Sequence, residues 1–343
     1  MPDFDDSPTA KRATLMDVAR LADVSMSAVS RSFTPGASVS PSTRQRVMKA
    51  AKEIGFQPNV LARSLATGRS DMIALVTNAF ANPFINSVVD AFTSELQERK
   101  LLPVAFNLKG NFDWDQAVDL ILQYQVDGVI VASSTVDERF LERICDAKIP
   151  LIQAFGRFHG VGDVDSVFVD NTHGGRHAAR EFIARGYEKP GFIGVSSSVS
   201  TTQDRLAGFA EVWAEKGIEP VVKRAENYAY ADGYAGASEL FRDNPQLDCV
   251  FCADDLLGIG AIDALRFECH RRIPDVGVIG FNDIQATGWA SHPLSTFRAD
   301  TTQVVASGIE MLKDRIKSAG KAREQRVVNC QFVERGSLRP HVI

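Results

Sequence analysis

Apolar residues follow two rhythms along this chain, and the change falls near residue 70. Before it, they recur at three- and four-residue steps in short blocks. Val18, Leu21 and Ala22 share one helical face within Leu15 to Ala22, and Val29 with Phe33 makes another after the break Asp23-Val24-Ser25, where Ser25 is placed to cap the second helix. A third helix is predicted after Ser40-Pro41, an N-cap residue with proline in the first turn; Val47, Ala50, Ala51 and Ile54 form its stripe before Gly55 ends it. Three such faces suffice to close a small core. Gln57 to Ser70, QPNVLARSLATGRS, is one or two helical turns at most, too short to be stable alone. Residues 1–13 are polar and patternless, so a disordered arm is expected there.

From Met72 onward, short apolar runs alternate with helical patterns. MIALVT, LLPVAFN, GVIVAS, PLIQAF and DSVFVD read as strands, with helices from Pro83 to Arg99, Trp114 to Tyr124 and Asp137 to Ala147 between the earlier ones. After Asp170 come a helix from Gly174 to Arg185, strand GFIGVS, helices from Arg205 to Lys216 and Asp232 to Arg242, strand CVFCAD, a helix from Leu256 to Phe267 and strand VGVIGF. This predicts two parallel-sheet units in series. Open parallel sheets bind ligands outside the carboxyl ends of their strands, so two facing units place a ligand in the cleft between them.

Charge sharpens the division. Residues 11–70 hold ten Lys/Arg against three acids, a balance of +7, whereas residues 71–343 hold 28 basic and 37 acidic residues. A basic head on an acidic body suits a polyanion-binding module joined to one that does not bind polyanions. No stretch approaches ~18 consecutive apolar residues, and MPDFDDSPTAKR lacks the basic and apolar regions of a secretory signal, so a cytoplasmic protein is expected. The five cysteines fit reduced thiols; Cys249 and Cys252 have CxxC spacing but sit in an apolar run that reads as a buried strand. His173 and His177 are four apart on a helix, yet no HExxH glutamate accompanies them, and no GxSxG, Walker or strand-linked GxGxxG signature occurs. No cofactor, metal or enzymatic chemistry is expected.

The segment MDVARLADVSMSAVSR has the form of a helix-turn-helix, although a buried helical hairpin looks similar. With Val29 and Phe33 turned inward, Met26, Ser27, Ser30 and Arg31 are left outward; arginine can contact guanine bidentately, and serine and methionine can meet base edges or a thymine methyl. TLMDVARLADVSMSAVSRSF, with VSPSTRQRVMKAAKEIGFQPNVLARSLATGRS behind it, closely resembles the DNA-binding head of LacI/GalR-family transcriptional regulators. The likeness continues through IALVTNAFANPF, DGVIVA, DRLAGF, CADDLLGIGAIDAL, PDVGVIGFNDI and VERGS. It implies an N-terminal all-α head plus a two-lobed, periplasmic-binding-protein-like doubly wound α/β core, acting as a homodimer on a palindromic operator under control of a small-molecule effector. On that resemblance Ser25, Met26, Ser27, Ser30 and Arg31 read DNA from the second helix, and Asn59, Ala62 and Leu65 belong to a hinge helix that meets the operator. Leu65 is the residue wedged into the minor groove, unless it merely packs the linker.

The same resemblance assigns Arg205 of DRLAGF to gripping the effector, and Phe84 of ANPFIN and Tyr228 of NYAYADGY to stacking on it. Asp254, where relatives commonly carry asparagine, is a hydroxyl acceptor. Asp170, at the end of VFVD, either reaches the ligand or caps the next helix. Asn282 stands where relatives often have a ligand-binding carboxylate, which tilts the expected effector, a sugar or sugar acid, toward the acid. The expected organisation is an arm (1–13), reader (14–57), hinge (58–70) and effector-binding and dimerisation domain (71–343). Within the last, lobe 1 takes 71–170 and 298–329, and lobe 2 takes 171–297 and 330–343. The chain ends without a leucine-heptad tail, which favours a dimer. Rival readings are a sugar-binding protein without DNA function and an α/β enzyme acting on sugars.

Overall fold

Helix α1 (Leu15–Ala22) begins where a capping box closes: Thr14 accepts from the Asp17 amide while the Asp17 carboxylate accepts from the Thr14 backbone. Asp23, in the left-handed region at φ 49°, stops it. Ser25 starts α2 (Met26–Phe33) by accepting from the Ala28 amide at 3.2 Å, and Ser40 with Pro41 starts α3 (Pro41–Glu53). Their facing stripes bury Val18, Ala22, Val29, Val47 and Ala51, with Phe33 and Phe56 closing the core at 5.7 Å between rings. This computed structural model describes residues 13–34, 36–58, 68–108, 114–157, 164–318 and 320–341, so Asn59, Ala62 and Leu65 lie outside the described residues.

The chain divides into two units between Ser70 and Asp71. The second runs β1 (Met72–Thr77), α4 (Pro83–Glu98), β2 (Leu102–Asn107), α5 (Trp114–Gln123), β3 (Gly128–Ala132), α6 (Glu138–Asp146), β4 (Leu151–Ala154) and β5 (Asp165–Val169). It continues α7 (Asn171–Ala184), β6 (Pro190–Gly194), α8 (Ser200–Ala214), β7 (Val221–Arg224), α9 (Tyr230–Asp243), β8 (Cys249–Cys252), α10 (Asp255–Phe267), β9 (Gly277–Ile279), β10 (Thr296–Ala299), α11 (Thr301–Lys317), β11 (Gln325–Val328) and β12 (Cys330–Val333). A six-stranded parallel sheet has the order β11-β5-β4-β3-β1-β2, and a four-stranded parallel sheet the order β7-β6-β8-β9. The antiparallel pair β10-β12 lies on the connections between them. Each larger sheet forms one lobe.

Two helix starts lie three or more residues ahead of the sequence expectation, each for an identifiable reason. Helix α7 begins at Asn171 rather than Gly174, because the Asp170 carboxylate accepts from the His173 amide at 2.9 Å. Helix α8 begins at Ser200, five residues before Arg205, with a polar first turn that carries no apolar period. Strands β7, β10, β11 and β12, each four residues long, were not anticipated; they carry polar residues at alternate positions or lie at sheet edges.

Bare backbone brings α7 and α8 together. A Cβ on Gly208 would stand 2.0 Å from the Thr172 carbonyl oxygen, and one on Gly175 2.1 Å from the carbonyl oxygen of Arg205. Gly208→Ala is therefore expected to cost about 2 kcal/mol net, overpacking outweighing the better helix propensity of alanine. Urea unfolding of the second unit measures this; unchanged stability would mean that the helices do not approach so closely.

Candidate functional site

On α2, the residues left outside the core form a continuous face. Met26 is 55% exposed, and Ser27, Ser30 and Arg31 are exposed, while Val29 and Ser32 are buried. Ser25 is occupied as the cap, its hydroxyl also lying 2.9 Å from that of Ser27. No acidic residue stands in the first turn of α2, so the positive end of the helix is uncompensated by its own side chains.

In the second unit, a cavity of about 770 Å³ opens between the lobes at the carboxyl ends of the strands. Phe84, Arg205, Tyr228, Asp254 and Asn282 all line it; Asp170 does not. The reading of Asp170 as a ligand contact is therefore corrected: its carboxylate is the cap of α7, and its neighbour Asn171 faces the cavity instead. Arg205 is 5% exposed. Its Nε donates to Asn171 Oδ1 at 2.8 Å, one Nη donates to the Ala253 carbonyl, and the guanidinium carbon lies 3.6 Å from the centre of the Phe281 ring. Burial lowers its pKa, partly offset by Tyr228 and Asp254, but it remains a cation at any physiological pH.

The Asp254 carboxylate accepts from the Leu256 amide at 2.8 Å, from Asn282 Nδ2 at 2.9 Å and from Asn82 Nδ2 at 3.2 Å. Asn82 caps α4 in the other lobe, so this last bond spans the cleft. Two more contacts do the same: Ser134 with Thr201 at 3.2 Å, and Arg157 with Asp204 and Ser200. Phe84 packs edge-on against Phe155 at 5.2 Å, and the Tyr228 hydroxyl sits 2.7 Å from Thr202 and 3.1 Å from Thr201. Apolar walls with a few convergent polar groups suit a small polyhydroxylated ligand.

Two family profiles match this chain. "Periplasmic binding proteins and sugar binding domain of LacI family" covers residues 69–331, and "Bacterial regulatory proteins, lacI family" covers residues 14–59. The chain belongs to the LacI family. It is 31% identical, over 89% of its length and 92% of the relative's, to the HTH-type transcriptional regulator CelR of Thermobifida fusca. It is 28% identical, over 95% of its length and 98% of the relative's, to the ribose operon repressor of Haemophilus influenzae. Among solved structures, a CelR–cellobiose complex superposes with TM-score 0.73 at 30% identity, covering 95% of this chain and all of that one. The lac repressor dimer bound to operator and the anti-inducer ONPF superposes at 0.84 with 22% identity, covering 96% of this chain and all of that one, a likeness of fold. The protein is a DNA-binding transcriptional regulator with a helix-turn-helix head and an effector-binding core.

The resemblance leads us to expect asparagine at 254 and a carboxylate at 282, and the chain has aspartate and asparagine there. The amide at 282 and the carboxylate at 254 touch, so the negative charge missing from one position is supplied at the other. This removes the reason to favour an acidic effector: the cleft still opposes one carboxylate to one arginine. Burial, only partly countered by its hydrogen bonds and Arg205, raises the Asp254 pKa to about 6. Burial next to Asp254 raises Asp255 to about 7, although it accepts from Thr296 at 2.5 Å and from the Ile284 amide at 2.9 Å. Both groups bind protons more tightly folded than unfolded, so their contribution to stability falls as pH rises from about 4 to about 7 and levels off above. Asp254→Asn is expected to flatten that slope: relative to the parent, its melting temperature gains more at pH 8 than at pH 5. Parallel shifts at both pH values in thermal melts would contradict the assignment.

Sequence reasoning missed Asn82, Asn171, Thr201 and Phe155 in the cleft. Only Asn82 carried a signal, as the cap in ANPF. Cys249 and Cys252 are fully buried in β8, and burial pushes both thiols well above the ordinary range. His177 pairs with Glu181 at 3.1 Å and packs on Phe297 and Phe332. Among the described residues no cluster of three or more His, Cys, Asp or Glu is arranged to hold a metal, and no helix is long and apolar enough to cross a membrane.

Proposed function

We propose that the protein is a cytoplasmic, homodimeric repressor that binds a palindromic operator and is controlled by a neutral sugar held between its lobes. The convergence of Arg205, Asp254 and Asn282 in one cavity carries this reading, because guanidinium, carboxylate and amide together offer paired donors and acceptors to hydroxyl groups. Residues 14–57 read the half-site, with Met26, Ser27, Ser30 and Arg31 toward base edges and Ser25 at the helix start beside phosphate. Residues 58–70 form the hinge, with Asn59, Ala62 and Leu65 on the DNA, and residues 71–343 bind effector and dimerise. The similarity to a regulator solved with cellobiose and to a ribose operon repressor supports a sugar.

Ligand and operator are coupled reciprocally. Three cross-cleft contacts and a ligand compete for the same facing surfaces, so occupancy changes the relation of the lobes and through it the spacing of the two heads. The test is selection of operator from a pool of random duplexes by the purified protein, repeated with a sugar panel. A palindrome whose recovery changes with a neutral sugar supports the reading; enrichment indifferent to every sugar, or a response to sugar acids alone, counts against it.

A further inference from the structure

The cleft is graded from a closed inner end to an open rim. At the inner end Asn171, Arg205 and Asp254 are all at least nine-tenths buried, and this is where the hydrogen-bonding groups of the proposed sugar site converge. At the other end the lining residues are exposed: Thr135 from one lobe, Glu226, Asn227 and Tyr230 from the other. We infer that this rim is a second sugar subsite and that the effector is a neutral oligosaccharide of at least two units, one held at each end; this rests on the sugar reading above.

Size is the first reason. The cavity of about 770 Å³ lies in the upper part of the range that encloses ligands of drug size. That range is ~300–1,000 Å³, and a single pyranose of about a dozen heavy atoms leaves much of such a volume as water. The chemistry of the rim is the second. Among the described residues, none forms a hydrogen bond or ion pair with the side chain of Glu226 or Asn227, which leaves their acceptors and amide donor for hydroxyls. Tyr230 spends its hydroxyl on Asp263 at 3.0 Å and is 43% exposed as a residue, and its ring offers an apolar face of the kind that packs on the C–H side of a sugar ring. On the other lobe's wall, Asn78 is locked by Thr135 and Ser133: its Nδ2 donates to the Thr135 carbonyl at 3.0 Å, and its Oδ1 accepts from the Ser133 and Thr135 hydroxyls at 2.8 and 2.9 Å. That wall is rigid before ligand arrives, which lowers the ordering cost of binding. The third reason is charge. A carboxylate at the rim repels an anionic second unit, so the unit bound there is uncharged.

The test incubates the full chain with a pool of neutral mono-, di- and trisaccharides from mixed plant polysaccharide hydrolysates, then weighs the retained ligand by native mass spectrometry. The expected result is retention of species with two or three sugar units. Retention of monosaccharides alone overturns the second subsite while leaving the sugar reading intact; retention of no carbohydrate overturns both. Asn227→Ala and Glu226→Gln then locate the subsite. Each is expected to reduce the ratio of oligosaccharide to monosaccharide affinity about tenfold in calorimetry, and an unchanged ratio in both places the second unit elsewhere and overturns the rim assignment.

Discussion

Replacing Arg205 with alanine is expected to weaken binding of the retained sugar at least ~100-fold and to destabilise the second unit by about 3 kcal/mol, because two buried acceptors lose their charged donor. The guanidinium is nearly inaccessible and serves four neighbours at once: Asn171 Oδ1, the Ala253 carbonyl, the face of Phe281 and the field at Asp254. Alanine strands the two oxygens in a dry wall and leaves the Asp254 carboxylate without its cation. Arg205→Lys separates the two effects, since it keeps the charge but not the planar fork. It should recover part of the stability and little of the sugar affinity. Calorimetry and urea unfolding read these separately. The alanine variant should still bind operator, but with an affinity that sugar no longer changes. If it binds the same sugar within a few-fold of the parent, the ligand does not lie against Arg205 and the proposed site is wrong.

That arginine was legible only through the family motif DRLAGF, since its partners Asn171, Ala253 and Phe281 come from distant segments. Legible from local pattern alone were the caps at Ser25 and Ser40, the three stripes of the head and the central strands of both lobes, where apolar runs are nearly continuous because both faces are covered. What was not legible depends on contacts between distant segments. Asn82 and Asp254 are 172 residues apart and meet only because the lobes face one another. Likewise, the charge at 254 and the amide at 282 looked like two separate departures from the family pattern. Their 2.9 Å contact makes them one exchange, and a judgement about ligand charge from position 282 alone misses the compensating group. Asp170 is the opposite case: its place at a strand end left ligand contact and helix cap both open, and the cap is what forms, because a carboxylate one residue before a helix has amides of its own to accept from.

Val29→Asp should separate the two functions of the chain completely. Val29 is fully buried in the core of the three-helix head, among a handful of side chains that include Val18, Ala22 and Val47. A carboxylate there has no cation to pair with, and a core this small has little stability to lose; several kcal/mol of desolvation cost exceeds what it holds. The head is expected to unfold and operator binding to fall by ~1,000-fold or more, since removing the whole reader forfeits specific affinity. Sugar binding should stay within two-fold of the parent, because every residue that lines the cavity belongs to the second unit. Arg31→Ala is the necessary contrast. Arg31 is exposed on the outward face of α2, so its removal should leave the head folded. Losing one base contact costs ~1–3 kcal/mol, a loss of roughly 5- to 150-fold in operator affinity concentrated at a single base pair. Fluorescence anisotropy with the selected operator, together with circular dichroism of each variant, distinguishes the cases. A Val29→Asp protein that still binds operator would show that DNA is not read from α2, and an Arg31→Ala protein with unchanged affinity would move the reading surface to another face of the head.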